Sequence, residues 1–265
     1  MTTYTTVADA NGDFTVPFSS SYIGGEKITV TAEKDNTEKR IELYAPADLY
    51  GGGVIQFGGN LNNFPKNIGV VTLAGLSGAI SQHSFRSAHA ESIWACATGL
   101  NIQAGVTSIQ SSAFREWLSM ESLSLPSGLI LVDNYAFDQC WSLKSLIIPE
   151  SVQELGQYAF GDCRSLENLI IPNLITFITL SVFYNCLNLK NLEIKGQVTL
   201  IESNAFFNCT SLEQVIMHAI TPPTIRYNTF QNIKSSCAFK VPAASVAAYK
   251  TAPEWSAYAA RIQAI

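Results

Sequence analysis

Four cysteines of this 265-residue chain recur at one constant interval, at Cys140, Cys163, Cys186 and Cys209. Thiols at a fixed spacing could form disulfide bridges or hold a metal ion. However, the chain has no CxxC pair, and the interval between these cysteines is not a zinc-site spacing. Trp94 and Trp117 occupy the same position in earlier units, where an indole could neither bridge nor bind a metal. We therefore expect a column of buried thiols ahead of the two alternatives, bridging and metal ligation.

Other groups suited to catalysis are sparse. The chain has only three histidines, and the GLSG stretch at 75–78 falls short of the GxSxG elbow. Neither GxGxxG nor GxxxxGK is present among the glycines at 51–59. Asp138 and Asp162 lie at nearby repeat positions and could form a carboxylate pair, but acids on repeat surfaces are usually solvated. The sequence therefore predicts no catalytic residue, no metal site and no cofactor, and hence no enzyme.

The cysteines are one column of a longer repeat with the same 23-residue period. Phenylalanines recur with this period from Phe114 to Phe206, and leucine-type residues follow the same grid, for example at Leu143, Leu166 and Leu189. Each unit has seven or eight apolar positions, too few to close a core alone but enough if identical units stack. The period therefore predicts a solenoid, in agreement with a composition that is 47% hydrophobic and only 14% charged.

The unit AFxxCxSLxxLxIPxxVxxI, seen in AFDQCWSLKSLIIPESVQEL, resembles the BspA-like class of leucine-rich repeat found in bacterial surface proteins. The resemblance covers about residues 94 to 242, with a degenerate lead-in from about 54. It implies a right-handed stack of coils with a short strand at each LIIP, paired in parallel in one continuous sheet. It also implies a terminal unit in which a strand and a helix seal the last coil. Trp255, Tyr258, Ala259 and Ile262 have the spacing of one helical face.

The sequence divides into four parts. Residues 1–47 contain about three alternating strands and resemble the latter half of a bacterial immunoglobulin-like module, so they form a small all-β segment. Residues 48–93 form a glycine-rich joint and irregular first coils, 94–240 the leucine-rich repeat solenoid, and 241–265 the capping helix. Half a sandwich is poorly stable, so we expect residues 1–47 to cap the first coil, or else to pair with another chain in a homo-oligomer or with a segment upstream of this sequence.

Two columns vary along the repeat. The outward position of the strand carries an apolar strip, a candidate for ligand binding, although cover by another part of the chain or simple strand preference would also explain it. Its residues are Ser124, Ile147, Ile170, Glu193 and Ile216. The second column alternates in charge, and we expect it to fix the register of neighbouring coils rather than to hold a charged ligand. Its residues are Glu121, Lys144, Glu167, Lys190 and Glu213.

A net charge of −5 without a basic stripe argues against a nucleic-acid partner, and no apolar run is long enough to insert in a membrane. The start of the chain shows no signal peptide. The resemblance implies a non-catalytic adhesion or protein-interaction module, secreted or at the cell surface, that binds a protein or cell-surface macromolecule. The alternative is a structural or receptor-binding part of a phage or prophage tail fibre, located in the virion.

Overall fold

The computed structural model describes residues 68–87 and 93–265, together with the backbone of four strands nearer the N-terminus. These strands are Phe14–Phe18 (β1), Lys27–Lys34 (β2), Thr37–Tyr44 (β3) and Gly53–Phe57 (β4). The remaining strands are short, and several have only two residues. In chain order they are Gly69–Ala74 (β5), Gly78–Ile80 (β6), Ala97–Ile102 (β7), Val106–Ile109 (β8), Ser122–Ser124 (β9), Leu131–Val132 (β10), Glu154–Leu155 (β11), Asn168–Ile171 (β12), Phe177–Ile178 (β13), Asn191–Ile194 (β14), Leu200–Ile201 (β15), Gln214–Met217 (β16), Thr224–Ile225 (β17), Ala238–Val241 (β18) and Ile262–Ala264 (β19).

These strands form the predicted parallel solenoid. Strands β12, β14, β16, β18 and β19 line up in one parallel sheet, and β5, β7 and β9 continue the same ladder on the N-terminal side. A second ladder, made of shorter strands, runs from β6 through β8 and β10 to β11 and resumes as β13, β15 and β17. Equivalent residues of neighbouring coils face each other, as where Leu169 lies opposite Leu192. The solenoid predicted from the period is therefore confirmed.

The predicted continuous sheet is interrupted in the coil that begins at Cys140. There the LIIP segment is not a strand, and two isolated bridges, Ser122 to Ser145 and Ser145 to Asn168, join β9 to β12. At the equivalent place two coils later, the N–H of Lys195 donates to the Ile171 carbonyl at 3.0 Å. The two earlier donors would be Pro149 and Pro172, which have no N–H. The two prolines therefore open the ladder beside Ile148.

A column of phenylalanines fills the core on the side opposite the main sheet. Successive rings from Phe85 to Phe230 are almost fully buried and stack in parallel, with centroids 5.2 to 5.7 Å apart. Each such pair contributes about 0.5–1.5 kcal/mol beyond the burial of its area. Backbone bonds run beside the rings, as from the N–H of Phe137 to the Ala159 carbonyl at 2.8 Å. The turn side of each coil is thus tied to its neighbour as firmly as the strand side.

The cysteine column lies beside these rings. The four thiols are fully buried and unbridged, and each donates to the carbonyl of a phenylalanine in the preceding coil at 3.5 to 3.7 Å. Trp117, in the same column, donates from its indole Nε1 to the Phe85 carbonyl at 2.7 Å. Both residue types therefore satisfy the same buried acceptor, which explains why either can occupy this position.

The C-terminal cap differs in detail from the predicted helix. A 3₁₀ turn at Ala243–Ser245 leads into a short α-helix, Val246–Thr251 (α1), and a 3₁₀ helix then covers Trp255–Arg261. Ile262 is not on that helix: it begins β19, which pairs in parallel with β18. Trp255 and Ile262 are nevertheless both buried against the last coil, so the apolar spacing identified the inward residues but not their backbone conformation.

The N-terminal strands pair in two ways, as a hairpin and as an extension of the main sheet. Strands β2 and β3 pair only with each other, as an antiparallel hairpin. Strand β1 pairs antiparallel with β4, and β4 pairs antiparallel with β5 of the main sheet. The predicted resemblance of residues 1–47 to such a module is not confirmed. Instead, β1 and β4 extend the sheet of the solenoid at its N-terminal end.

Candidate interaction surface

The outward column of the main sheet is apolar over two coils. Ile147 is 82% exposed and Ile170 is 46% exposed, and they occupy neighbouring positions of the ladder. Ser124, on the N-terminal side of this pair, is exposed, and Glu193 and Ile216 on the other side are half-buried. The expected strip of three exposed isoleucines is therefore reduced to two, because Ile216 is partly covered.

A cleft of about 300 Å³ opens around these two isoleucines, at the place where the ladder is interrupted. Its floor is apolar and its rim is polar, and it holds no histidine or cysteine. Without such a base or nucleophile, the arrangement favours binding by contact over chemistry on a ligand. The lining residues are Lys144, Ser145, Leu146, Ile147, Ile148, Glu150, Asn168, Ile170 and Lys195.

The charges on the rim are already neutralised. The Nζ of Lys195 lies 3.0 Å from Oε1 of Glu150, an ion pair that spans two coils. The hydrogen bond from Lys195 lowers the pKa of the Glu150 carboxyl, so this group stays ionised at neutral pH. Lys144, at the opposite side, pairs with Glu121 at 2.7 Å. A ligand of this cleft would therefore gain mainly from apolar contact, with polar groups meeting its edge.

The apolar surface ends at Glu193. This residue lies between Ile170 and Ile216 in the ladder, and its Oε1 is 2.9 Å from Nε2 of His218 in the next coil. The pair places polar side chains where a third exposed isoleucine would otherwise extend the strip. The candidate surface is therefore local to two coils, and Ser124, Glu193 and Ile216 lie at its border rather than within it.

The alternating charges form separate ion pairs. Lys144 pairs with Glu121, and Lys190 pairs with Glu167 at 2.9 Å, in each case the acid of the preceding coil. The last acid, Glu213, pairs at 2.6 Å with Lys234, a residue outside the grid of the repeat. These side chains are about half exposed, so solvent screens each pair. Their role in register remains a prediction.

The two aspartates considered as a carboxylate pair are each ion-paired to an arginine. Oδ2 of Asp138 lies 2.9 Å from Nε of Arg115, and Oδ1 of Asp162 lies 3.0 Å from Arg164. Burial raises the pKa of Asp138 to about 6, although Arg115 opposes the shift. Within the part of the chain that the structure describes, no group of three or more His, Cys, Asp or Glu side chains could hold a metal ion. No helix in that part is long and apolar enough to cross a membrane.

Sequence reasoning missed three residues that shape this surface. Glu150 and Lys195 are 45 residues apart, which is not a multiple of the period, so no column of the repeat connects them. Lys234 follows Glu213 by 21 residues because the last coil departs from the grid. The sequence contained one sign of the cleft, the prolines Pro149 and Pro172 at the same position of two consecutive repeat units.

Comparison with known proteins supports the repeat assignment. Residues 107–237 match the family model of the BspA type leucine rich repeat region, in six copies. A search of curated proteins gives no match.

Solved structures of low sequence identity also resemble the chain. A leucine-rich repeat protein of T. pallidum is 20% identical over 65% of this chain and 78% of its own, with a TM-score of 0.49. The pneumococcal vaccine antigen PcpA is 17% identical over 72% of this chain, with a TM-score of 0.47. A leucine-rich cell surface protein of Faecalibacterium prausnitzii is 20% identical over 65% of this chain, with a TM-score of 0.41. This chain spans 45% and 59% of those two proteins, respectively.

Proposed function

We propose that this chain, whose residues 107–237 match the BspA type of leucine-rich repeat region, is a non-catalytic module that binds a protein ligand at the cleft around Ile147 and Ile170. The exposure of these two side chains carries the proposal. Contiguous exposed apolar surface with a polar rim is typical of interaction sites. The role belongs at the bacterial cell surface, by resemblance to the proteins in which such repeats occur.

The chemistry of the cleft favours a protein over a small charged ligand. Its two lysines are satisfied by Glu121 and Glu150, so no cation is free to bind an anion there. Two exposed isoleucines fit an aliphatic or aromatic side chain of the partner, and Ser145 and Asn168 can meet its peptide groups. The stacked core behind them holds the surface rigid, so little conformational entropy is lost on binding.

The N-terminal strands support a capping role for the first part of the chain. In the absence of β1 and β4, strand β5 would present an unpaired edge of the main sheet, and such edges attract other chains. Because β4 pairs with β5 and β1 pairs with β4 within one chain, we favour a cap over a joint between protomers. The adhesion role is therefore preferred to that of a tail-fibre component.

The test measures saturable binding of the labelled chain to epithelial cells and to a panel of purified extracellular-matrix proteins. Burying an isoleucine is worth about 1.5–3 kcal/mol, so the double variant Ile147→Ser, Ile170→Ser should weaken binding by about tenfold or more. The matched control is Ile130→Ser, since Ile130 is 45% exposed beside the second ladder, away from the cleft. The control should bind as the parent does, and neither variant should lower Tm.

Two results would overturn the proposal. One is unchanged affinity in the double variant. The other is cell binding that survives removal of surface proteins by protease, because the ligand would then not be a protein.

A further inference from the structure

A second, larger cleft lies where the last coil meets the C-terminal cap. Its volume is about 590 Å³. One wall is the segment 224–229 with Ser203 of the preceding coil, and the other wall is formed by Glu254, Ala257 and Tyr258. It shares no lining residue with the cleft around Ile147. Binding at this place would therefore be independent of the function proposed above.

Tyr227 offers a free aromatic face in this cleft. Its side chain is 78% exposed, and its ring stacks on no ring of the described residues. The other tyrosines of the turn side behave differently: Tyr135 and Tyr158 stack on each other with centroids 5.1 Å apart. A ring held in the open is available to pack against the apolar face of a ligand.

Two opposite charges at the cleft have no partner. Within the described part of the chain, neither Arg226 nor Glu254 makes an ion pair or a side-chain hydrogen bond, whereas the charges around the other cleft are paired. An arginine presents several N–H donors in a plane, and a carboxylate presents only acceptors. Together they provide donors and acceptors with no net charge.

The cap holds Glu254 in a strained backbone conformation. Its φ is 61° and its ψ is −36°, and the N–H of Trp255 donates to the carbonyl of Pro253 at 2.7 Å. This three-residue turn is rare and costs energy in a residue with a side chain. Trp255 offsets that cost, since it is fully buried and its Nε1 donates to the Pro223 carbonyl at 2.7 Å. The backbone of Glu254 is thereby held beside the cleft.

Tyr258 supplies a fixed hydroxyl on the cap side. Its ring packs against Phe239 at 4.9 Å and lies under the guanidinium of Arg261 at 4.9 Å. Its hydroxyl has no hydrogen-bond partner among the described residues. Burial raises the pKa of Tyr258, so the hydroxyl remains a donor at neutral pH.

We infer that this cleft binds a neutral sugar unit of a glycan. A pyranose ring has an apolar C–H face, which suits the open ring of Tyr227, and a rim of hydroxyls that both donate and accept. Arg226 can donate to one sugar hydroxyl and Glu254 can accept from another, because a guanidinium only donates and a carboxylate only accepts. Since the two charges cancel, nothing in the cleft selects a ligand of net charge.

The test uses saturation-transfer NMR on the full chain with lactose, maltotriose, mannobiose and diacetylchitobiose as probes at millimolar concentration. At least one probe should receive saturation at its ring C–H protons. Tyr227→Ala should weaken that binding by about tenfold or more, and Tyr227→Phe, which keeps the ring, by less than about threefold. The control Ile147→Ser should leave sugar binding unchanged. Tyr227 lies at the surface, so its variants should melt with the parent protein.

Three outcomes would overturn the inference. The first is the lack of saturation transfer to every probe, and the second is binding that Tyr227→Ala does not weaken. The third is binding that falls steeply with added salt, because screening acts on charged ligands and not on neutral ones. The double variant Ile147→Ser, Ile170→Ser should lose protein binding and keep sugar binding. The proposed protein site and the proposed sugar site can therefore be confirmed or refuted separately.

Discussion

Replacing Asp138 by Asn should make the stability of the protein less sensitive to pH. The Asp138 side chain is only 6% exposed, and it faces the guanidinium of Arg115 at 2.9 Å and the amide of Gln139 at 3.3 Å. Glu116 also contacts Arg115, and Asp162 of the next coil adds a second negative charge nearby. Burial is the largest influence on the carboxyl, so its charged form is disfavoured in the folded protein.

The sign and size of the effect follow from the shift in pKa. Burial raises the pKa of Asp138 from 3.8 to about 6, so the folded protein holds a proton there that the unfolded chain releases. The stabilisation is complete below pH 3.8 and is lost as the pH rises through about 6. Since one pKa unit corresponds to about 1.4 kcal/mol, the loss is at most about 3 kcal/mol. Asparagine, which does not ionise, should avoid this loss.

The assay is urea unfolding of the parent and of Asp138→Asn across this pH range, followed by tryptophan fluorescence. The free energy of unfolding of the variant, relative to the parent, should rise between pH 3.8 and about 6 and then level off. Asp162→Asn is the matched control, since it removes the same charge from a side chain that is 19% exposed. A difference that does not change with pH would refute the reasoning. A parent that gains on the variant as pH rises would show that the Arg115 ion pair outweighs burial.

Two further predictions concern the N-terminal strands and the thiols. Removing residues 1–47 deletes β1 and leaves β4 as an unpaired edge of the sheet. The shortened chain should therefore melt several degrees lower and form oligomers detectable by light scattering. If its Tm matched that of the parent and it had the mass of a single chain, β1 would not cap the sheet. Burial raises the pKa of Cys140, Cys163, Cys186, Cys209 and Cys237, so in the native protein no more than one of the six thiols, Cys96, should react quickly with a thiol reagent, and all six should react in denaturant. Rapid reaction of two or more thiols in the native protein would contradict this prediction.

The periodic part of the fold was predictable because each column repeats one physical requirement. Phe137, Cys163 and Leu169 are buried at the positions that the period assigned to the core. Phe85 belongs to the same stack but was missed, since it precedes Phe114 by more than one period. Periodicity detects a coil of standard length and overlooks one that carries an insertion.

The candidate surface was predictable only in part. The alternation of a strand identified Ile147 and Ile170 as outward residues, and the structure leaves both exposed. The cleft beside them depends on a missing hydrogen bond at Pro149 and Pro172 and on the ion pair between Glu150 and Lys195. Such features join residues across coils at irregular distances, so they appear only once the coils are stacked. The N-terminal strands likewise could be recognised, but not their pairing partners.

The predicted register role of the ion pairs along the solenoid has a consequence for how the length of the solenoid can change. Each pair joins a lysine to the acid of the coil before it, as Lys144 joins Glu121 and Lys190 joins Glu167. Loss or duplication of a single repeat unit in the gene would set two acids or two lysines side by side. Loss or gain of two units would keep every pair intact. If these pairs fix coil register as predicted, the array should grow and shrink in steps of two coils.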